Sequence, residues 1–377
     1  MKIDKYTAIL GNTIGYPDME SLTANRPLAN LPFDGKYRLI DFQLSSIANA
    51  GIRSVYGIFR GQNIRSIFDH IRSGREWGLN TLLSHYFLGF YNTDDESKTA
   101  DADYYDQILN YLKRSGSDQT VYMSCDILAN INLKQVLHVH SANKREMTVI
   151  YKKVAKSSLS SDNELLAIDE KDTVVGKIAV EKSDEPVPMS ADMYVVNTPY
   201  LIKKLEEEAQ KENPRKIRFV LRDLIVEAGA LAFEHTGYLA NITSVKSYYD
   251  ANMDMLDSQK FYTLFYGNQK VYTKVKNEES TYFDDMSTVT NSQFASGSII
   301  KGTVEHSIIS RSCRVEEGAT VAHSVVFPKV KIGDGATVEY AIIDKNVTVP
   351  AGVTLRGSVE KTLVIAKNLE ITGDIIQ

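Results

Sequence analysis

Two segments of the sequence carry residue types that could act on a phosphorylated substrate. Gly11 and Gly15 lie in a loop at residues 10–17, directly after an apolar run. Glycines in such a loop let backbone amides approach phosphate oxygens closely. Asp126 follows a second apolar run, residues 120–124, and brings a carboxylate to the loop after it. Each segment also has a simpler interpretation, because two glycines can form an ordinary turn and an aspartate can cap the end of a strand.

The elements around these segments indicate an α/β domain. Up to about residue 260, short apolar runs alternate with helical patterns. We expect strands at residues 6–10, 54–59, 120–124 and 147–154, and helices at 40–50, 63–72, 105–113 and 133–142. That alternation predicts a mostly parallel sheet with helices on both faces. Ligands of such sheets bind beyond the carboxyl ends of the strands, which is where both segments lie.

The C-terminal residues follow a different pattern. From about residue 298, β-branched apolar residues recur every five or six positions, with glycine and small residues between them. A hexapeptide period is typical of a left-handed β-helix, whereas a β-sandwich would show period-two alternation. We therefore predict a β-helix at residues 298–377, after a polar connector at residues 261–297. Coils of about 18 residues would give roughly three to four coils up to residue 357.

The composition excludes several classes of protein. The chain has 377 residues, a net charge of −5 and 43% hydrophobic residues, which predicts a globular protein of two or three domains and gives no support for nucleic-acid binding. Two cysteines, Cys125 and Cys313, are too few for a disulfide scaffold, and we expect buried reduced thiols in a cytoplasmic protein. No window contains 18 apolar residues, so we expect no membrane span.

A longer segment carries a family resemblance. Residues 22–42 read LTANRPLANLPFDGKYRLIDF. This segment resembles an N-terminal motif of bacterial ADP-glucose pyrophosphorylases, which are also called glucose-1-phosphate adenylyltransferases. Residues 99–102, 248–254 and 291–309 resemble further segments of the family. The resemblance implies a Rossmann-like nucleotidyltransferase domain at residues 1–260, followed by the β-helix, and adenylyl transfer from ATP to glucose 1-phosphate with Mg²⁺.

The resemblance also implies roles for individual residues. The remnants of a nucleotide site are Gly11, Gly15 and Arg26. The remnants of a sugar-phosphate site are Glu181, Lys182 and Ser190. Asp126 matches a metal-binding aspartate of the family. Without the family context, Lys182 would be interpreted as a surface lysine.

Four departures from the family pattern indicate lost catalysis. No arginine or lysine lies between Lys5 and Arg26, where the family's glycine-rich loop has an arginine. Leu28 stands at the position of a family lysine, and Asn241 at that of a second metal-binding aspartate. Asp192 replaces a glycine of the sugar site, where its charge could repel a sugar phosphate. Nucleotidyl transfer needs fixed positive charge and a metal against the developing negative charge.

These departures favour a catalytically deficient subunit, similar to the GlgD-type subunits of glycogen-synthesising bacteria. Such a chain would assemble with a catalytic ADP-glucose pyrophosphorylase subunit into a hetero-tetramer, and would form a homo-oligomer when alone. ATP or glucose 1-phosphate could still bind. A working adenylyltransferase is the alternative. A hexapeptide-repeat acyltransferase, with His306 or His323 as its base, is a third hypothesis, although we expect both histidines to be exposed turn residues.

Overall fold

The structure is a computed structural model that describes residues 5–12, 14–60, 64–81, 84–91, 99–156, 159–160, 162–179, 185–267 and 269–377. Its α-helices, in chain order, are α1 (Glu20–Thr23), α2 (Leu39–Asn49), α3 (Arg65–Ile71), α4 (Ala102–Ser115), α5 (Leu133–Asn143), α6 (Thr198–Ala209), α7 (Ile217–Glu227), α8 (Val245–Met253) and α9 (Ser258–Phe265).

The strands fall into a series of long strands followed by many short ones. The strands up to residue 241 are β1 (Tyr6–Asn12), β2 (Pro32–Phe33), β3 (Tyr37–Arg38), β4 (Ser54–Arg60), β5 (His85–Tyr91), β6 (Gln119–Ser124), β7 (Ile127–Ala129), β8 (Met147–Val154), β9 (Leu166–Ile168), β10 (Val174–Lys177), β11 (Val187–Asn197), β12 (Leu231–Glu234) and β13 (Leu239–Asn241). The short strands are β14 (Tyr282–Phe283), β15 (Thr288–Thr290), β16 (Gln293–Phe294), β17 (Ile299–Ile300), β18 (Thr303–Glu305), β19 (Ile308–Ile309), β20 (Arg314–Val315), β21 (Thr320–Ala322), β22 (Val325–Val326), β23 (Lys331–Ile332), β24 (Thr337–Glu339), β25 (Ala341–Ile343), β26 (Thr348–Val349), β27 (Thr354–Arg356), β28 (Leu363–Ile365) and β29 (Ile375–Ile376).

The chain divides into two compact units, each built from segments that are separate in the sequence. The first unit contains Met1–Gly15, Phe42–Leu239 and Gly267–Tyr272. The second unit contains Tyr16–Asp41, Ala240–Tyr266 and Thr273–Gln377. This division differs from the expected boundary at residue 260, because residues 16–41 and 240–266 pack with the C-terminal segment.

The first unit is built on a seven-stranded sheet in the order β12-β8-β11-β6-β1-β4-β5. Strand β1 pairs in parallel with β4 and β6, whereas β11 runs antiparallel to β6 and β8. The predicted mostly parallel sheet is therefore confirmed. Gly11 belongs to β1 itself and not to the loop after it, and it lies opposite Ser124 in the register of β1 and β6. The loop after β1 and Asp126 after β6 therefore lie at the carboxyl ends of two neighbouring central strands.

Helices of the first unit contribute apolar faces to the same core as the strands. Helix α4 begins at a cap in which Asp101 accepts a hydrogen bond from the Tyr104 amide at 2.9 Å, and it ends at Gly116 in a left-handed conformation. Its buried side carries Tyr104, Tyr105, Ile108, Tyr111 and Leu112.

None of the helices in the described ranges combines the length with the apolar character that crossing a bilayer requires.

The second unit contains the predicted left-handed β-helix. Parallel strands stack in three sheets of five, six and five strands. Thr303, Thr320, Thr337 and Thr354 lie in register along one of these sheets. Successive coils there are 17 residues apart, rather than the 18 expected. The stacked apolar residues are fully buried, which explains why the hexapeptide period was readable from the sequence.

The coils begin before residue 298. Strands β14 and β15 lie in the segment that we expected to be a connector, yet they pair in parallel with β17 and β18. Strands β15 and β16 lie 15 residues before their partners, as in the contact of Ser292 with Ser307, whereas β14 lies 17 residues before β17. All residues of β14 and β15 are exposed. A shorter coil with exposed residues does not show the apolar period on which the sequence prediction depends.

Candidate functional site

Asp126 faces a cation that belongs to the protein itself. It lies two residues beyond strand β6 and is 3% exposed. Its carboxylate accepts a hydrogen bond from the Ser124 hydroxyl. It also accepts one from the Arg218 guanidinium, with which it forms a buried ion pair. Asp126 therefore lies just after a strand, as the sequence predicts, but the cation that it binds is an arginine of the same chain.

Asp192 joins the same group of charges. It lies in β11, where the register against β8 shifts, and its φ is +47°. Its carboxylate accepts hydrogen bonds from Arg218 at 2.9 and 2.6 Å and from Arg222 at 2.9 and 2.6 Å. Burial acts to raise the pKa of Asp192, but Arg218 and Arg222 hold it well below its usual range. The expected repulsion of a sugar phosphate by Asp192 is therefore offset, because two guanidinium groups neutralise its charge.

Helix α7 supplies both arginines of this arginine–aspartate cluster (Asp126, Asp192, Arg218 and Arg222). Residues four apart on a helix share one face, and both arginines are buried there among apolar side chains. Sequence analysis missed them because the partners are 26 to 92 residues away. A usable signal was present: arginine is almost never fully buried unless it is paired, and these two interrupt an apolar helical face.

The cluster does not fit the Mg²⁺ that the resemblance implies. Mg²⁺ binds carboxylate oxygens and water, whereas Arg218 engages both the Asp126 and the Asp192 carboxylates. Two arginines balance two aspartates, so the cluster has no excess negative charge to attract a divalent cation. Within the described ranges, no group of three or more His, Cys, Asp or Glu side chains could hold a metal ion.

Packing explains why residue 11 is a glycine, and no bound phosphate is needed for that explanation. A Cβ atom at Gly11 would lie 2.2 Å from the Tyr122 hydroxyl oxygen and 2.7 Å from the ring carbon that bears it. Tyr122 is 3% exposed, so its ring cannot easily move away. Gly15 lies in the loop before the 3-10 helix Pro17–Met19.

The sugar-phosphate residues are described only in part. Glu181 and Lys182 lie outside the described residues. Ser190 is 2% exposed in β11, and its hydroxyl accepts a hydrogen bond from the Asp192 amide at 3.1 Å. The structure therefore brings Ser190 and Asp126 to the same arginine–aspartate cluster.

Three further residues from the sequence analysis lie in the second unit. Arg26 is 3% exposed and donates two hydrogen bonds to the Asp344 carboxylate. Leu28 is 5% exposed and begins the 3-10 helix Leu28–Asn30. Asn241 ends strand β13, and its amide oxygen and nitrogen are both buried without a hydrogen-bond partner among the described residues. Arg26 thus has a carboxylate partner, and Leu28 is a packed apolar residue.

Cationic side chains gather around Arg38 in the second unit. Burial, together with the charge of Arg26, lowers the pKa of Arg38 to about 10, and Nη1 of Arg38 is buried with no partner in the described part of the chain. Burial also lowers the pKa of Lys345 to about 6, and the charges of Arg38 and Arg26 add to that effect. Burial, with Arg311 and Arg38, lowers the pKa of Lys276. These side chains form a basic cluster (Arg26, Arg38, Lys276, Arg311 and Lys345). Within it, Asp344 pairs with Arg26 and Glu278 with Arg311.

The histidines of the β-helix form part of a ring stack. His306 is exposed as expected, whereas His323 is half-buried. The two rings are 5.1 Å apart, and His323 lies 4.7 Å from the Tyr340 ring in a parallel stack. The ring stack gives both histidines a structural role and requires neither of them to act as a base.

Cys125 and Cys313 are buried free thiols, as expected.

Comparisons with known proteins show which family this chain belongs to. The nucleotidyl transferase model matches residues 19–258, and the GlmU-like C-terminal hexapeptide model matches residues 275–367. The chain is 29% identical over 319 residues to the glucose-1-phosphate adenylyltransferase of Geobacillus stearothermophilus, covering 80% of this chain and 79% of that protein. It is 31% identical over 321 residues to the glycogen biosynthesis protein GlgD of the same organism, covering 84% and 82%. The chain belongs to the glucose-1-phosphate adenylyltransferase family.

Identity alone does not separate the two kinds of relative within the glucose-1-phosphate adenylyltransferase family. The GlgD protein of Bacillus subtilis (strain 168) is 28% identical over 312 residues, covering 82% of this chain and 80% of that protein, a value close to that of the adenylyltransferase above. The residues at the family's functional positions must therefore decide between a catalytic and a non-catalytic role.

Proposed function

We propose that this chain is a catalytically deficient regulatory subunit in glycogen biosynthesis. It works in the cytoplasm, where it assembles with a catalytic glucose-1-phosphate adenylyltransferase subunit and modulates it. The buried side chain of Leu28 is the observation that carries the proposal. Leu28 stands where the family has a lysine, and it is packed at 5% exposure. Loss of one well-placed stabilising group costs about 10²–10³ in rate.

Further losses act on the same reaction. The loop after β1 has no arginine or lysine before Arg26, so no side chain of that loop supplies charge for a triphosphate. Asn241 offers a neutral amide where the family has an aspartate. These differences affect the contacts with the triphosphate, with the metal ion and with the negative charge that develops on the transferred phosphate. We expect such losses in a subunit that is retained for assembly and modulation.

The partner is proposed to be a catalytic subunit from the same cell. Geobacillus stearothermophilus has both a protein named GlgD and one named glucose-1-phosphate adenylyltransferase, and this chain is similar to each over about four-fifths of its length. Two such proteins in one organism support a division of labour between subunits. The resulting assembly is a hetero-tetramer, and the chain alone forms a homo-oligomer.

The first coil of the β-helix offers a surface for such assembly. Tyr282, Phe283, Met286 and Val289 are 56%, 44%, 85% and 41% exposed. Strands at the end of a stack also leave one backbone edge unpaired, and proteins usually cover such edges. A subunit contact at this end of the β-helix would bury both features.

A working adenylyltransferase remains the second candidate. The observation in its favour is that Ser190, within β11, and Asp126, after β6, are linked by hydrogen bonds through Asp192 and Arg218. ATP and glucose 1-phosphate are the ligands to test in either case.

The two candidates differ in the activity of the chain alone. We would measure pyrophosphorolysis of ADP-glucose by three samples: the purified chain, a homologue from the same cell that has the family's catalytic residues, and a mixture of the two. The proposal expects almost no activity from the chain, and a mixture whose rate or effector response differs from that of the homologue alone. Turnover by the chain alone at the homologue's rate would favour the second candidate, and a mixture that behaves as the homologue alone would contradict modulation.

A further inference from the structure

We propose that the guanidinium group of Arg218 occupies the place of a divalent cation between Asp126 and Asp192. The chain would then bind no metal there, and removal of Arg218 alone would expose a latent metal site. This inference rests on the proposed function only in taking Asp126 as the counterpart of the family's metal-binding aspartate.

The contacts of Arg218 are those of a bridging cation. One nitrogen, Nη1, donates to the Asp126 carboxylate. Two others, Nε and Nη2, donate to Oδ2 of Asp192 at 2.9 and 2.6 Å. A metal ion shared by two carboxylates would need these same oxygens, so the two modes of binding exclude each other.

Arg218 carries a fixed positive charge near neutral pH, as guanidinium groups generally do. Its position between the two carboxylates therefore stays occupied without any bound ion. The side chains of Arg218, Asp126 and Asp192 are 4%, 3% and 3% exposed. Such buried carboxylates require a compensating charge, and Arg218 supplies one that cannot dissociate as a metal ion can.

Arg222 provides a matched control on the same helix. It donates to Asp192 at 2.9 and 2.6 Å and to the Asp162 carbonyl oxygen at 2.8 Å, and none of these hydrogen bonds goes to Asp126. Removing Arg222 takes away the same unit of charge and leaves the pair of Asp126 with Arg218 in place. A gain of metal binding that depends on freeing Asp126 should therefore follow the loss of Arg218 and not the loss of Arg222.

The test is a titration of the full chain with Mn²⁺, in which free Mn²⁺ is followed by electron paramagnetic resonance. We expect no Asp126-dependent site in the wild-type chain. Arg218→Met should bind one Mn²⁺ per chain at least tenfold more tightly than wild type, and the added change Asp126→Asn should abolish that site. Arg222→Met and the charge-keeping Arg218→Lys should gain no site.

Thermal unfolding gives a second readout in case Arg218→Met is unstable. Ligands that bind only the folded state raise the melting temperature, so Mn²⁺ should stabilise Arg218→Met and leave wild type and Arg222→Met unchanged. Either of two results would overturn the inference: an Mn²⁺ site in wild type that Asp126→Asn removes, or no more Mn²⁺ binding and stabilisation in Arg218→Met than in wild type.

The outcome can be separated from that of the proposed function. Metal binding is measured on this chain alone without substrates, whereas modulation is measured on the partner's turnover. A wild-type chain that binds Mn²⁺ through Asp126 but still only modulates its partner would refute the inference and leave the function standing. A metal-free chain that nevertheless turns over ADP-glucose would do the reverse.

Discussion

The Arg26 guanidinium donates hydrogen bonds of 2.8 and 2.9 Å to the two carboxylate oxygens of Asp344, 318 residues further along the chain. Both side chains are almost fully buried, at 3% and 2% exposure. Arg26 belongs to the segment whose pattern resembles the family's N-terminal motif, and Asp344 belongs to the β-helix. The pair therefore ties a segment from the start of the chain into the second unit, and its first role is structural.

Breaking this pair should destabilise the second unit strongly. Removing one partner of a buried ion pair leaves the other charge uncompensated, which costs about 3–5 kcal/mol. We expect Arg26→Ala and Asp344→Ala each to lower the free energy of unfolding by that order in chemical denaturation, and the double variant to lose less than the sum. The exposed pair of Lys246 and Asp250 is the control, since breaking an i,i+4 surface pair costs about 0.3–0.5 kcal/mol. Equal effects at the two pairs would contradict the structural role.

Lys345 should make stability depend on pH. Burial, with Arg38 and Arg26, lowers the pKa of its amine to about 6 in the folded chain, whereas an unfolded lysine titrates at about 10.4. Between those values the unfolded chain binds more protons, so the free energy of unfolding rises with pH. The stability of Lys345→Met relative to wild type should be greatest near pH 6 and should decline toward pH 10, as measured by urea unfolding. A difference that stays constant across this range would show that Lys345 is charged in the folded chain.

The basic cluster should bind a small anion. Nη1 of Arg38 is buried without a partner in the described ranges, and nearby cations repel one another. Phosphate should raise the melting temperature above that in chloride of equal ionic strength, and Arg38→Gln should reduce this gain. Lys361, an exposed cation of the β-helix, gives the control Lys361→Gln, which should keep it. If the two variants respond alike to phosphate, the stabilisation comes from general ionic effects.

Gly11 offers a test between packing and phosphate binding. A methyl group there would collide with the Tyr122 ring, with contacts from 2.2 Å, and overpacking costs about 1–3 kcal/mol. We expect Gly11→Ala to lower the melting temperature even without nucleotide. Gly373→Ala, where nothing lies within 4 Å of the added atom, should leave it unchanged. Normal stability in Gly11→Ala, with weakened ATP binding, would instead favour a phosphate role.

Local patterns predicted much of the architecture. Strand–helix alternation and the hexapeptide period follow from which residues are buried along one element, so the mostly parallel sheet and the β-helix could be predicted. The first coil was not predicted because its strands β14 and β15 are exposed, and because Thr288 pairs with Thr303 at a shorter spacing than the 17 residues between Thr303 and Thr320.

The candidate site was harder to predict, because its contacts are not local. Asp126 could be found from its place after a buried strand. Its partner Arg218 lies 92 residues away on helix α7, and no periodicity connects the two. In the sequence Asp192 is an isolated negative charge for the same reason, since Arg218 and Arg222 become its neighbours only in the fold.

In the function proposed here, this chain modulates a catalytic partner and does not itself make ADP-glucose. The most direct test mixes the chain with a partner subunit whose metal-binding aspartates are changed to alanine, and measures ADP-glucose formed from ATP and glucose 1-phosphate. We predict no synthesis above that of the inactive partner alone, while the same chain still alters the rate or the effector response of an intact partner. Robust synthesis by the mixture, abolished by Asp126→Ala in this chain, would show that the chain is itself an enzyme.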